Sequence, residues 1–483
     1  MRLIHSITLL CVSTISLFGD RPPNIILILT DDLGYSDLSC YGNTEYTTPN
    51  IDRMAKEGQK WTEFYTASHI CSPSRAAILT GLYPVRTGTS SHVFFEWSAQ
   101  GLPQDSQTIS KVLQSNGYKT HLVGKWHLGH REGYLPTDQG FDDFYGIPYS
   151  NDMRVDPEMK VADSVYFRED MTLAEMRTKG NKVNHWVPLM QDDTIIEYPV
   201  DQTTLTQRYT EKCIELIQEN REQPFFLFLS HHLPHIPIFV SEPFKNKHSN
   251  NPYADAVSEI DHSVGEILKS LKENALDKNT LVIFTSDNGP NQTFDPKGGS
   301  AYPLKGSKCY ATEGGQKVPG IFWWPDTIKK GSINGLGSTL DFFNTFITVS
   351  GIKDPSLLAQ DSYDLSPVLL KKSISPRPDF FYFSSFVPPR GLIYAVRKGD
   401  WKAHFYTSLA PGFNNPESII KNVNPLLYNL KRDPAETKNL AKQFPNIVHS
   451  LHQHSKRFYE TLEIPTNRYS EKITSQERPE WAH

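Results

Sequence analysis

The chain has 483 residues, enough for one large α/β domain with a smaller domain beside it. Its 49 Lys and Arg residues against 54 Asp and Glu residues give a formal net charge of -5. This balance argues against a nucleic-acid partner and against binding to an anionic membrane surface. Beyond the extreme N-terminus, no stretch is long and apolar enough to span a bilayer.

Residues 1–19 have the pattern of an export signal peptide. Met1-Arg2 supplies a basic start, and the short apolar run 7–18 ends near Gly19. We therefore expect an exported protein in a periplasmic, secreted or lysosome-like compartment. It would have no integral membrane segment once the signal is removed.

The five cysteines do not form a disulfide framework. Cys11 lies in the signal and Cys71 in the motif described below. Cys40, Cys213 and Cys309 are too widely spaced for a framework, although their spacing leaves one bridge open.

Four continuous apolar runs are typical of buried parallel strands, and helical patterns lie between them. The runs are 24–30, 119–123, 224–230 and 281–286, and the helical patterns include 108–116, 204–220 and 255–273. This alternation predicts a large, doubly wound and mostly parallel α/β sheet flanked by helices. The polar segment 151–200 is predicted to be an irregular insertion over the candidate site.

From about Arg377 the pattern changes to that of short antiparallel strands. Candidate strands are 380–383, 392–396, 401–406 and 426–430, with a turn at 398–400 and a terminal helix over 447–462. We therefore expect three parts: a signal at 1–19, a catalytic domain at 22–376, and a smaller C-terminal α+β domain with an antiparallel sheet at 377–483.

Each of the four apolar runs is followed by side chains that can carry chemistry. In chain order these are Asp31-Asp32, Lys125 with His127, the histidines of 230–237, and Asp287-Asn288. Ligands of such sheets bind beyond the C-terminal ends of the strands, so we expect the four groups to converge. This convergence indicates an enzyme. Lys125 and His127, two apart in a predicted extended loop, would point the same way.

Asp31, Asp32, Asp287 and Asn288 offer the hard oxygen ligands that suit Ca²⁺ and, less well, Mg²⁺. Either pair alone could equally cap a helix. Two pairs at equivalent strand ends favour a cation site instead. A divalent cation there would hold an anionic substrate beside a nucleophile and neutralise charge that repels attack.

The stretch from Cys71 to Gly81 predicts a polar turn that runs into a helix. Pro73 suits the first turn, residues 76–79 favour helix, and Gly81 suits the helix end. Cys71 would then lie at a helix N-terminus, where free N–H groups favour an anion. Arg75 adds a fixed charge with the fork geometry for a tetrahedral oxyanion. A buried structural cysteine is the alternative, whereas a thiol phosphatase needs a longer Cys-to-Arg loop.

Two more segments hold candidate ligands for an anion. At least one of the three histidines His231, His232 and His235 is expected to be structural. Lys305 and Lys308 lie in a glycine-containing loop before Glu313-Gly314-Gly315, and this loop could close over an anion. An exposed pair of lysines is the alternative interpretation.

The string Cys71-Ser72-Pro73-Ser74-Arg75, followed by Ala76-Ala77-Ile78-Leu79-Thr80-Gly81, resembles the signature of type I sulfatases in the alkaline-phosphatase superfamily. The resemblance spans about residues 24–440 and is closest to arylsulfatase A-like members. It implies an alkaline-phosphatase-like fold and a sulfuric ester hydrolase. The other matching stretches are 31–35, 48–52, 124–129, 140–142, 146–150 and 286–289, together with a C-terminal tag formed by 427–430, 433–437 and 439–440.

The resemblance also implies roles for individual residues. Cys71, converted to formylglycine by a maturation enzyme during export, would be the nucleophile as a hydrated aldehyde. Arg75 and His127 would stabilise and deprotonate it. One calcium ion would be bound by Asp31, Asp32, residue 71, Asp287 and Asn288. The sulfate group would be bound by Lys125, Ser150, His235 and Lys308.

Two of these assignments depend on spacing within the family pattern. His235 is chosen over His231 and His232 because the family places its histidine shortly before a proline. Lys308 is chosen over Lys305 because its spacing to Glu313-Gly314-Gly315 matches. Cys309 stands where glycine is usual and Lys305 where arginine is common, so the loop geometry departs from the pattern.

The expected function is hydrolysis of a sulfate ester on a carbohydrate or an aryl alcohol. The aromatic content of 12% and the predicted export suit a small sulfated sugar or a polysaccharide as substrate. Two alternatives stay open at this stage. One is a phosphodiesterase or phosphonate hydrolase on the same fold, and the other is an inactive extracellular glycan-binding protein with an unmodified Cys71.

Overall fold

A computed structural model describes residues 21–292, 295, 297–371, 373–385, 391–408, 419–465 and 468. Over these residues the chain forms one sheet of eleven strands and one of four, with helices packed against both. No helix in the described ranges is both long and apolar enough to cross a membrane. The predicted signal at 1–19 lies outside the described residues, and the predicted domain boundary at 376/377 stays a prediction.

The large sheet is mixed, with a parallel centre. Its strands across the sheet follow the order β11-β2-β10-β9-β1-β8-β3-β4-β6-β7-β5. Their bounds in chain order are β1 Asn24–Thr30, β2 Gln59–Tyr65, β3 Lys119–Lys125, β4 Asp143–Ile147, β5 Val161–Phe167, β6 Leu189–Gln191, β7 Thr194–Tyr198, β8 Phe225–Ser230, β9 Thr280–Ser286, β10 Gly320–Trp323 and β11 Gly331–Ser338.

The neighbours β9, β1, β8, β3 and β4 all run parallel, whereas β10 and β6 enter antiparallel. Every residue of β1, β8 and β9 is buried, as their continuous apolar sequences require. The register aligns Thr30 with Ser286 and Leu29 with Ser230. The three strands therefore end side by side, and the predicted α/β fold is confirmed.

Helices connect these strands, and sequence signals set several of their ends. Asn251 caps α6, since its side-chain oxygen accepts a hydrogen bond from the backbone N–H of Ala254 at 3.0 Å. Pro252 follows at the first helical position. The helices are α1 Pro49–Glu57, α2 Cys71–Thr80, α3 Ile109–Ser115, α4 Leu173–Thr178, α5 Leu205–Glu219, α6 Pro252–Glu273, α7 Glu313–Gln316, α8 Phe342–Val349, α9 Ser366–Lys371 and α10 Pro445–Glu460.

The prediction that 151–200 is an irregular insertion is wrong. This segment contains β5, α4, β6 and β7, and its three strands extend the large sheet beyond β4. Leu189, Met190 and Ile195 are buried and fix these strands on the sheet. Because β6 has three residues and β7 five, their apolar positions are too few to stand out among the polar residues around them.

The second sheet is antiparallel, in the order β12-β13-β14-β15, and α10 packs on it. Its strands are β12 Asp379–Phe383, β13 Ile393–Lys398, β14 Trp401–Ser408 and β15 Ile419–Asn429. The predicted strand at 426–430 is thus the end of a longer one. Tyr65 and Tyr83 from the first part of the chain share one apolar cluster with Phe380 and Tyr382, so the two sheets are joined by packing.

Candidate active site

Cys71 is the first residue of α2, and all ten residues of this helix are buried. Gly81 ends the helix with φ 64°, a left-handed conformation that glycine adopts freely. The predicted start and end of the helix are therefore confirmed. The Sγ atom of Cys71 lies 3.4 Å from Oδ1 of Asp31, so the helix start meets the end of β1.

Two neighbouring strands bring the four predicted oxygen donors together. Asp31 and Asp32 follow β1, Asp287 and Asn288 follow β9, and all four are fully buried. The Nδ2 group of Asn288 donates a hydrogen bond to Oδ1 of Asp32 at 2.7 Å. The backbone N–H of Asp32 donates to Oδ1 of Asp287 at 3.3 Å.

These residues fit a hard divalent cation. Candidate ligand atoms of Asp31, Asp32, Cys71 and His235 lie within 4.8 Å of one another. The buried Oδ1 atom of Asn288 has no hydrogen-bond partner in the described part of the chain and remains available as a ligand. Carboxylate and amide oxygens form the donor set that calcium prefers.

Arg75 connects the helix to three strand ends. Its Nε group donates to Oδ2 of Asp287 at 3.0 Å, and its Nη1 group donates to Oγ of Ser230 at 2.6 Å. The same Nη1 group donates to the carbonyl oxygen of Lys125 at 3.0 Å. A buried guanidinium with this many partners has one fixed orientation. Asp287 therefore faces Arg75 as well as the acidic pair after β1.

Lys125 and Lys308 approach the acidic pair from two sides. Lys125 donates hydrogen bonds to Asp31 and, at 3.1 Å, to Oγ of Ser150. The Nζ atom of Lys308 lies 2.8 Å from Oδ2 of Asp32. By contrast, Nζ of Lys305 lies 5.9 Å from the ring centroid of Tyr428. Lys308, and not Lys305, is therefore in the cluster.

Of the three histidines after β8, only His235 has a carboxylate partner within 4.0 Å. Its Nε2 atom lies 3.6 Å from Oδ2 of Asp32. Both ring nitrogens of His231 and His232 lack hydrogen-bond partners among the described residues. Burial lowers the pKa of each of these two to about 3. They are neutral and packed, which agrees with the expectation that at least one would be structural.

His127 follows Lys125, the last residue of β3, by two positions, but it is not in the extended loop that the sequence predicts. Its φ of 65° turns the chain, so this detail is wrong. The Nε2 atom is 3.0 Å from the carbonyl oxygen of Phe94, and Nδ1 has no partner in the described part of the chain. Burial, then the nearby charge of Lys125, lowers the pKa of His127 well below its usual value.

Charge in the cluster is unevenly distributed. Burial would raise the pKa of Asp31, but the positive charge of Lys125, followed by His235 and Arg75, lowers it well below the usual value. Burial, and then Asp31, raises the pKa of Asp287 to about 7. Burial and Asp31 also raise the pKa of the Cys71 thiol well above its usual value.

Two features of the site were missed by the sequence analysis. The hydroxyl of Ser230 donates to the carbonyl oxygen of Lys125 at 2.7 Å and accepts from Arg75. The carbonyl oxygen of Phe94 faces His127 from a loop that carries no motif. Only the position of Ser230, at the end of an apolar strand, is a sequence signal.

The loop that carries Lys308 is fixed by backbone hydrogen bonds. The N–H of Lys308 donates to the carbonyl oxygen of Pro290 at 2.9 Å, and that of Cys309 donates to the oxygen of His69 at 3.0 Å. Cys309 has φ 76°, so a cysteine adopts the left-handed conformation where glycine is usual. No disulfide forms within the described residues, which include Cys40, Cys71, Cys213 and Cys309.

Comparison with known proteins accounts for this geometry. The family model named Sulfatase matches residues 23–352, and the model for the C-terminal region of aryl-sulfatase matches residues 375–482. The chain belongs to the sulfatase family. Human arylsulfatase A is 36% identical over 449 residues, which cover 90% of this chain and 87% of the human protein. Rat N-acetylgalactosamine-6-sulfatase is 36% identical over 445 residues, which cover 86% of this sulfatase and 81% of the rat protein.

Solved structures agree with the family assignment. The PsFucS1 sulfatase from Pseudoalteromonas sp. superposes with a TM-score of 0.77 at 29% identity, covering 93% of this chain and 91% of that one. Ps i-CgsB in complex with k-i-k-neocarrahexaose superposes with a TM-score of 0.74 at 27% identity, covering 91% and 93%. This sulfatase is therefore an enzyme that hydrolyses sulfuric esters.

Proposed function

We propose that this sulfatase removes sulfate from a sulfated carbohydrate or an aryl sulfate, using a formylglycine made from Cys71 and one calcium ion. One observation carries the proposal: residue 71 contacts Asp31 inside a group of ligand atoms within 4.8 Å of one another. Lys125 and Lys308 bring positive charge to the same group. A nucleophile, a cation site and anion-binding lysines are thus next to each other.

Asp31, Asp32, residue 71, Asp287 and Asn288 would hold the calcium ion, which when bound neutralises charge on the sulfate ester. Lys125, His235 and Lys308 would bind the sulfate oxygens, and Ser150, the hydrogen-bond partner of Lys125, would contact the same group. Arg75 is fixed by Asp287 and Ser230, so it can stabilise residue 71 without moving. His127 would accept the proton of the nucleophile.

The reaction would proceed in two steps, a displacement at sulfur and then an elimination of sulfate. In the first, one hydroxyl oxygen of the hydrated aldehyde bonds to sulfur while the bond from sulfur to the ester oxygen breaks, and a histidine protonates the departing alcohol. In the second, the other hydroxyl loses its proton, the carbonyl forms again, and the carbon–oxygen bond to sulfate breaks. Sulfate leaves, and water then hydrates the aldehyde for the next cycle.

The second hydroxyl is the reason for an aldehyde at residue 71. A serine or cysteine at this position has no such group, so release of sulfate would require attack by water. We expect Cys71→Ser to retain sulfate covalently after at most one turnover. Steady turnover of that variant at the wild-type rate would refute the two-step scheme, and rapid-quench kinetics with a labelled aryl sulfate makes the distinction.

A sulfated sugar is the favoured substrate class. One structural relative was solved in complex with a neocarrahexaose, and a curated relative is named for N-acetylgalactosamine 6-sulfate. Export by the predicted signal at 1–19 and maturation by a separate enzyme belong to the same proposal. They would place the mature enzyme where extracellular or lysosomal polysaccharides are degraded.

The main competing activity is phosphate-ester hydrolysis on the same fold. We expect kcat/KM for an aryl sulfate to exceed that for the matching aryl phosphate by at least about a hundredfold, measured on enzyme matured in the cell. A preference for the phosphate ester would overturn the proposal. If the protein hydrolysed neither ester and residue 71 were still a thiol, the glycan-binding alternative would be favoured.

A further inference from the structure

The mechanism above gives no role to the C-terminal tag. Within it, Asp433 accepts hydrogen bonds from the backbone N–H groups of Thr437 and Lys438, both at 2.8 Å, so the segment folds back on itself. Glu436 adopts φ 50°, an uncommon conformation for glutamate, and its side chain is buried. Its Oε2 atom accepts a hydrogen bond from the backbone N–H of Glu313 at 2.9 Å.

Glu313 is the first residue of α7, and its own carboxylate faces the second sheet. Oε1 of Glu313 accepts hydrogen bonds from the hydroxyl of Tyr382 at 2.8 Å and from Nζ of Lys402 at 2.9 Å. Nζ of Lys402 also lies 3.2 Å from Oε1 of Glu436, and His404 pairs with that same oxygen at 2.5 Å. Two carboxylates, a lysine and a histidine thus form one buried network between α7 and the second sheet.

The helix α7 is part of the same hydrogen-bonded unit as Lys308. The N–H of Gly314 donates to the carbonyl oxygen of Lys305 at 2.8 Å, which closes the segment 305–316, named here the lysine loop. The carbonyl oxygen of Gly315 accepts from Gly289, the residue after Asn288, at 3.0 Å. A Cβ added at Gly314 would lie 2.1 Å from the oxygen of Gly306, so the backbone of α7 packs directly against the segment that leads to Lys308.

We propose that Glu436 is a positioning residue for Lys308: it fixes the lysine loop from the second sheet and so holds the lysine at the sulfate site. The inference rests on the proposed role of Lys308 in binding sulfate. Breaking a buried ion pair by removing one partner leaves an uncompensated charge. Without the Glu436 charge, Lys402 would keep Glu313 as its one carboxylate partner within 4.0 Å among the described residues, and His404 would keep none. We expect α7 to shift as a result.

Glu436 is ionised at neutral pH. Burial would raise its pKa, but Lys402, followed by His404, lowers it to about 2. The network therefore acts as a fixed support and does not switch with pH near neutrality. Its effect must be tested by substitution.

The test compares Glu436→Gln with Asp341→Asn. Asp341 is also fully buried and accepts hydrogen bonds from Nε and Nη2 of Arg377, at 2.8 Å and 2.5 Å, just before β12. Asp341 and Arg377 thus form a second ion pair beside the second sheet. Among the described residues, the other hydrogen-bond partners of the Asp341 side chain are the backbone N–H groups of Ser338 and Tyr363, outside the lysine loop. Both variants should lower the melting temperature, so the comparison separates positioning from general stability.

We expect Glu436→Gln to raise KM for an aryl sulfate about fivefold or more with kcat changed less than about twofold. Loss of binding shared by substrate and transition state acts in this way. Hydrogen exchange of the lysine loop, followed by mass spectrometry, should become faster. Asp341→Asn should change neither KM nor exchange in the lysine loop. Glu436→Asp, which keeps the charge, should have a KM between those of Glu436→Gln and the wild type.

The inference is overturned if Glu436→Gln leaves both KM and exchange in the lysine loop at wild-type values. The exchange comparison needs no turnover, so it tests positioning even if the wild-type enzyme hydrolyses no sulfate ester and the proposed function fails. Should neither Glu436 variant fold, native-state exchange of the wild type decides. The proposal predicts that amides of the lysine loop and of 433–438 exchange through openings of the same free energy. Different free energies of opening for the two segments would contradict it.

Discussion

Glu96 is a buried carboxyl group without a complete set of partners. Its side chain is 3% exposed, and Oε2 has no hydrogen-bond partner among the described residues. Burial raises its pKa from 4.5 to about 7. The native state therefore binds more protons than the unfolded state between these two values, and its stability falls as the pH rises through that window.

Replacing Glu96 by glutamine removes this titration. We expect Glu96→Gln to gain stability relative to wild type as the pH rises from 5 to 8, by on the order of 2 kcal/mol. Urea unfolding at both pH values measures it. Glu219→Gln, at an exposed position on α5, is the control and should show no such difference. An equal effect of Glu96→Gln at pH 5 and pH 8 would contradict the assignment.

Cys309 has a left-handed backbone conformation that disfavours a side chain. Cys309→Gly should relieve about 1 kcal/mol of strain and lose a similar amount of burial against Ile70, so the net change in unfolding free energy should stay within about 1 kcal/mol. Cys213→Gly, in the middle of α5, has no strain to relieve and should cost about 2 kcal/mol or more. Denaturant melts compare the two, and equal losses would show that Cys309 is unstrained.

At the scale of single residues, the motif residues of the site could be predicted from the sequence, but the groups that hold them in place could not. Cys71, Arg75, Lys125 and the acidic pairs follow strand or helix ends, which the sequence marks clearly. Ser230 and the carbonyl of Phe94 were missed, because a hydroxyl at a strand end and a backbone oxygen in a loop carry no pattern. Their roles depend on which chain segments meet in space.

At the scale of elements, the position of α2 depends on how it ends. Gly81 has φ 64°, and a Cβ added there would lie 2.6 Å from Cβ of Phe343 and 2.7 Å from Cβ of Ala359. Both contacts are closer than real Cβ atoms allow, so α2 or α8 must move. The start of α2, which carries Cys71, would move with it.

Gly81→Ala should therefore cost about 2–4 kcal/mol of stability and lower kcat as well. Gly117 provides a matched control, since it also has a positive φ of 86° but no atom lies within 4 Å of an added Cβ. Gly117→Ala should cost only about 1 kcal/mol, from the backbone strain alone. Thermal melts and steady-state kinetics test both, and equal costs would rule out the steric explanation.

The elements themselves were predicted unevenly. Long apolar strands such as β1 and β9 were found within a residue of their ends, because burial on both faces leaves no polar interruption. Short strands such as β6 and β7 are not predictable from the sequence, since they have few apolar residues and form only by pairing with the edge that β4 offers. The start of α2 was predicted because proline and glycine mark helix ends directly.

At the scale of the whole molecule, the proposed calcium ion should stabilise the fold. Three buried carboxylates, those of Asp31, Asp32 and Asp287, lie at one edge of the sheet, and a bound cation would offset their repulsion. A ligand present at about a hundred times its Kd stabilises the native state by about 2.7 kcal/mol. Chelation should therefore lower both activity and melting temperature.

We expect calcium to restore both quantities after chelation, and magnesium to restore them less well. Asn288→Ala, which removes the amide oxygen proposed as a calcium ligand, should weaken the calcium dependence of the melting temperature. If activity and melting temperature are the same with and without a chelator, no divalent cation is needed and the proposed ligand set is wrong.

The central claim is that residue 71 acts as an aldehyde made from a thiol. Trypsin should release residues 61–75 as one peptide, because Lys60 and Arg75 flank it. In fully active enzyme, the mass of this peptide should correspond to an aldehyde in place of the thiol of Cys71. Full catalytic turnover by enzyme in which this peptide retains an intact thiol would contradict the account.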